Sequence, residues 1–171
     1  MLKKALLGFA ALLPLAAHAE QLALPWNTET DSASTLIIET DPEMEEKSPE
    51  LKASVDFSSS GNKAVYFRIR YLNGKTFNAS MTDYCNPVGY GDKGVITING
   101  QPIKVFMWCK KFTDANVHYE EMVAETDAGK AFIVKTLAGA KGDVLVKVGD
   151  NEFGLSSKGF SAIWGPGDFP S

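Results

Sequence analysis

The chain has few residues able to do metal, nucleophilic or acid–base chemistry: two histidines, two cysteines and 21 acidic side chains. His118 stands in Val117-His-Tyr119, and no Gly-x-Ser-x-Gly turn exists to set a nucleophile beside it. It therefore reads as an ordinary strand residue rather than a general base. With His18 in an amino-terminal apolar run and both cysteines expected in one crosslink, a zinc ligand set is out of reach. Asp83, Asp92, Glu120 and Glu121 are candidates for a carboxylate pair that would hydrolyse a glycosidic bond. Adjacent Glu120 and Glu121 on a strand face opposite sides, so they cannot converge with each other. Asp41 to Glu50 and Asp150-Asn-Glu152 both fail the calcium-loop spacing. No catalytic residue, metal site or cofactor is expected.

Cys85 and Cys109, an even count, are expected to form a disulfide. Closing a loop of about 25 residues would stabilise the fold by about 3–4 kcal/mol in the chain-entropy view. That crosslink would anchor the segment Asp83 to Lys93, which carries two tyrosines on a glycine-rich backbone. Tyrosine gives large contact area at low entropic cost, and a tethered loop is pre-organised. Tyr84, Asn86, Tyr90, Asp92 and Lys93 are thus the expected partner-binding residues. The competing reading is that both tyrosines pack on the core and the glycines only permit a turn.

The first 19 residues have the layout of a secretory signal: a basic start at Lys3 and Lys4, an apolar run from Ala5, and Ala17-His-Ala19 before the cut at Glu20. The run is too short for a membrane span. Cleavage leaves 15 basic against 21 acidic residues, a net charge of −6. That excludes nucleic acid and adhesion to an anionic membrane as natural partners. The expected location is the periplasm or beyond, with no transmembrane segment in the mature chain. Residues 20–50 hold nine acids and one base, whereas residues 51–171 hold twelve acids and fourteen bases. The expected organisation is an acidic, partly irregular leader with one strand (20–50), joined in one domain to a β-rich body (51–171).

The elements that must position these residues read as strands. Thr35–Thr40 is a β-prone run, and Leu51–Phe57 alternates apolar and polar side chains. Val65, Phe67, Ile69 and Tyr71 share a face opposite Arg68 and Arg70. A three-residue loop ending at Gly74 would set Ile69 opposite Phe77 and Phe67 opposite Ala79. Asn99-Gly100 predicts a two-residue type I′ turn placing Ile96 opposite Ile103, with Pro102 near a sheet edge. Asp127-Ala-Gly129 reads as a turn between strands at 117–125 and 130–137. A last hairpin spans 144–156 around Gly149-Asp-Asn151. Ser157 is expected to cap a short helix ending at Trp164, whose aromatic cluster would close the bottom of the sheet. The fold class is mainly β: an antiparallel sandwich or open barrel of about eight strands with a short C-terminal helix.

From Ile98 to Trp164 the chain resembles the invasion-associated locus B type of small periplasmic protein. The likeness rests on the Asn99-Gly100 hairpin, Cys109 after it, and Leu155-Ser-Ser-Lys-Gly-Phe-Ser-Ala162; that family's further cysteines are missing. The resemblance implies an exported β-rich domain engaged in host-cell interaction, with no catalytic residues to transfer. The residues themselves point to a non-enzymatic exported domain that binds a protein in the bacterial envelope, as inhibitor, immunity factor, accessory or host-contact protein. The alternatives are a small carboxylate-dependent hydrolase of envelope polymers, or a sandwich holding a small ligand in its interior.

Overall fold

The computed structural model describes residues 20–38, 49–71, 92–111 and 118–165. They form nine strands: β1 (Glu20–Ala23), β2 (Ser32–Ile38), β3 (Pro49–Phe57), β4 (Lys63–Tyr71), β5 (Asp92–Ile98), β6 (Gln101–Lys111), β7 (His118–Ala124), β8 (Val144–Val148) and β9 (Asn151–Leu155). Two helices, α1 (Asp127–Gly139) and α2 (Phe160–Trp164), complete them. All strands lie in one antiparallel sheet ordered β1-β2-β3-β4-β7-β6-β5-β8-β9. The sheet curls until its two edges nearly meet. There the Gln21 side chain stands in for a peptide group, its Nε2 donating to the Glu152 carbonyl (2.7 Å) and its Oε1 accepting from the Gly154 N–H (2.7 Å). Thr35 Oγ1 donates to the Gly154 carbonyl (2.6 Å). The leader over residues 20–50, expected to hold one strand, holds β1, β2 and the start of β3.

Period-two alternation explains the core. Leu51 and Ala53 on β3, Val65, Phe67 and Ile69 on β4, Ile96 and Ile98 on β5, Ile103 and Val105 on β6, and Met122 and Ala124 on β7 are all buried on the concave face. Ile133, Val134 and Leu137 of α1 join the same cluster, with Phe153, Phe160, Trp26 and Trp164. Trp26 stands edge-on to Phe160 at 5.0 Å between ring centres, and its Nε1 donates to the Ser156 carbonyl (2.8 Å). The aromatic closure expected of Trp164 exists, with Phe160 stacked on it at 5.8 Å.

The Asn99-Gly100 hairpin forms as the residues predict. Ile96 pairs with Ile103, and both turn residues have positive φ (48° and 80°), as a type I′ turn requires. Asn99 also joins β8 to this hairpin: Asn99 N–H donates to the Leu145 carbonyl, and Leu145 N–H donates to Asn99 Oδ1, each at 2.8 Å. Pro102 lies before β6 meets β7 at Val105, where its missing N–H costs no ladder bond. The last hairpin turns tightly through Gly149 and Asp150, with Val148 paired to Asn151.

Three local expectations are corrected. Residues 72–80 lie outside the described residues, but Phe67 pairs with Ala53 and Met122, and Ile69 with Leu51 and Glu120. Both edges of β4 are taken at these rows, so neither residue pairs with Ala79 or Phe77. Residues 130–137 are helix, not strand. Thr126 caps α1 by accepting the Gly129 N–H on Oγ1 (3.0 Å), although Gly129 denies the helix a full capping box. Finally, Gly159 (φ 91°) rather than Ser157 precedes α2, and Ser157 Oγ instead donates toward the Ala140 and Gly142 carbonyls.

Because neighbouring strands alternate in direction, Ile38, Pro49, Tyr71, Asp92, Lys111 and His118 come to one end of the sheet. α1 and α2 lie at the other end. The connection from β4 to β5 joins strands three places apart in the sheet, so residues 72–91 link opposite sides of a segment occupied by β7 and β6.

Candidate functional site

Two surfaces at the end of the sheet opposite α1 and α2 carry charged side chains in defined geometry. On the concave side, Glu120 sits on β7 between Ile69 of β4 and Cys109 of β6. Asp92 opens β5 opposite Met107, one step along on the same face. Burial among these neighbours, with a smaller push from the Asp92 charge, raises the Glu120 carboxyl above the usual carboxylate range. A carboxyl so placed holds its proton to higher pH and can donate a hydrogen bond or a proton.

The convex side carries a belt of ion pairs that follows from the alternation of β4. Arg68 and Arg70 point away from Phe67 and Ile69, each into a carboxylate on a neighbouring strand. Arg68 Nε donates to Glu121 (2.7 Å), and Arg70 Nε donates to Glu50. Lys110 also pairs with Glu121, whose side chain is only 3% exposed. Arg68 lies 3.8 Å from Asp56 through Nη2. Tyr66, in the next row, has its phenol raised above its ordinary value by burial, then by Glu121 and Asp56. Beside the belt is a cavity of about 260 Å³ lined by Ser34, Glu50, Lys52, Arg68, Arg70 and Tyr119.

The expected site residues are distributed unevenly over this frame. Tyr84, Asn86, Tyr90, Asp83 and Cys85 lie outside the described residues. Asp92 and Lys93 are successive residues of β5 and so point to opposite faces. Lys93 crosses the Phe106 ring at 5.6 Å to pair with Glu125. His118 opens β7 opposite Lys111. Glu120 and Glu121 do face opposite sides, as their adjacency demands. Sequence reasoning missed the ion-pair belt, although its signal was visible in Arg68 and Arg70 sharing the polar parity of β4. Among the described residues no three His, Cys, Asp or Glu side chains are grouped to hold a metal ion. No helix among them is long and apolar enough to cross a membrane.

No protein-family model matches this chain, and neither a curated protein nor a solved structure matches it. The resemblance over Ile98 to Trp164 thus gains no support from a family match.

Proposed function

We propose that the chain is an exported, non-enzymatic β-domain that binds a protein partner in the bacterial envelope, in an inhibitory, immunity, accessory or host-contact role. One observation supports the reading above others: the segment bearing Tyr84, Asn86 and Tyr90 connects strands three places apart on a well-packed sheet. Cys109 lies on β6, one of the two strands between them, so a Cys85–Cys109 crosslink would fasten that connection midway. Aromatic contact residues on a fastened loop bind at reduced entropic cost. Export after cleavage before Glu20 supplies the oxidising compartment the crosslink needs. Capture from a periplasmic extract tests the proposal: wild type is expected to retain a partner that Tyr84→Ala/Tyr90→Ala loses. A partner kept by the double variant, or no partner at all, contradicts it.

The Glu120 environment favours one second reading, a carboxylate-dependent hydrolase of envelope polymers with Glu120 as acid and Asp92 as its charged companion. It requires wild type to release fragments from isolated cell-wall polymer and Glu120→Gln to release none. Equal release by the two proteins would end it. The interior-ligand reading has nothing comparable in its favour, because Phe67, Ile69, Ile96 and Val105 fill the concave side with buried side chains.

A further inference from the structure

We propose that the convex cavity between β2, β3, β4 and β7 is a binding site for a phosphate group, carried either as free phosphate or on a small sugar. Glu121 and Glu50 each engage a guanidinium at Nε. The planar fork is thereby held in place; Arg68 Nη2 also faces Asp56 at 3.8 Å, and among the described residues Arg68 Nη1 and both Nη atoms of Arg70 have no carboxylate within ion-pair distance. Arg68 and Arg70 are two apart on one strand, so their guanidinium stems rise about 7 Å from each other on the same face. Lys52 stands beside Arg68 in the register of β3 with β4, and among the described residues no carboxylate lies within ion-pair distance of it.

Charge follows the same direction. The cavity wall holds three cations and one carboxylate, Glu50. Counting the surrounding belt, Lys52, Arg68, Arg70 and Lys110 face Glu50, Glu121 and Asp56, an excess of one positive charge among the described residues. An acidic chain that assembles such a spot offers an anion a local well in an otherwise repulsive field. Three donor groups rising from two strands suit the several oxygens of a phosphate better than the two of a single carboxylate. Ser34 adds a hydroxyl, and Tyr119 supplies an aromatic wall of the kind that accepts a sugar ring. The volume of about 260 Å³ exceeds what a bare phosphate fills and is near the lower bound of small-ligand sites.

Titration calorimetry at low ionic strength tests this with three probes: inorganic phosphate, glucose 6-phosphate and a tetraglutamate peptide. Both phosphates are expected to bind saturably, and the sugar phosphate more tightly if the cavity holds its ring. Lys52→Gln removes a cation that has no ion pair among the described residues and is expected to weaken both by about tenfold. Arg70→Lys keeps charge but loses the fork, and a smaller loss is expected; unchanged thermal unfolding of either variant shows that the fold is intact. Inorganic phosphate alone binding would assign the site to free phosphate. Tighter binding of tetraglutamate would overturn the proposal in favour of an acidic protein. Phosphate binding that emerges only after Glu43, Glu45 and Glu46 are changed to Gln would equally overturn it, giving the cavity to the chain's own acids. Absence of saturable phosphate binding, or affinity unchanged in both variants, would refute it outright.

Discussion

Glu120 and Glu121 are neighbours on β7 and live in opposite surroundings. Glu121 is buried on the convex face against two cations, and removing its charge would leave Arg68 and Lys110 facing each other. Breaking a fully buried pair costs about 3–5 kcal/mol, but both cations keep solvent contact, so Glu121→Gln is expected to cost about 1–3 kcal/mol in urea unfolding. Glu120 works the other way. Its folded carboxyl holds a proton more tightly than the unfolded one. The stability it contributes is therefore greatest below the ordinary glutamate value and falls as pH rises through the raised folded value. Glu120→Gln should unfold at higher urea than wild type at neutral pH, with the gap closing near about pH 4. A gap that widens on acidification would mean that Glu120 is stabilised as a carboxylate, not as an acid.

At the scale of elements, α1 shows where local propensity misleads. Gly129 near a helix start, followed by β-branched Ile133 and Val134, argues for a turn and a strand. Yet Gly129 is there for closeness: an added Cβ would lie 3.2 Å from Ile103 Cγ2, 3.2 Å from Thr126 Oγ1 and 3.4 Å from the Ala124 Cβ. Replacing a helical glycine by alanine normally gains up to about 1 kcal/mol. At Gly129 that gain should be lost and the variant destabilised, because the intruding methyl meets both the cap and the β6 wall. Gly139, with nothing within 4 Å of its would-be Cβ, should instead be stabilised by about 0.4–1 kcal/mol on the same change. Thermal unfolding of the two variants checks the contrast. The strands were more legible than the helix. Alternation at Val65-Phe67-Ile69 and the Asn99-Gly100 turn are local signals that tertiary contacts reinforce. The pairing of β4 with β7, and the merging of Trp26 into the core, depend on residues more than 50 positions apart and leave no local mark. For the same reason Arg68 and Glu121 could be read as polar but not as partners.

The whole molecule depends on its sheet edges being brought together at β1 and β9. Gln21 supplies two of the bonds across the gap and Trp26 anchors the turn beyond it. Gln21→Ala is expected to speed amide hydrogen exchange at Gly154 while leaving exchange in the β3–β4 pairing unchanged; uniform acceleration would mean that the gap is no separate unit. At the opposite extreme of scale, the proposed role requires that the chain cross a membrane, lose its first 19 residues and join Cys85 to Cys109. Intact-mass spectrometry of the protein recovered from the native cell tests this most directly, before and after reduction. The expected mass is that of a chain beginning at Glu20, rising by about two hydrogens when reduced. A chain that retains Met1, or whose mass is unaltered by reductant, would contradict the reading of an exported, crosslinked binding domain.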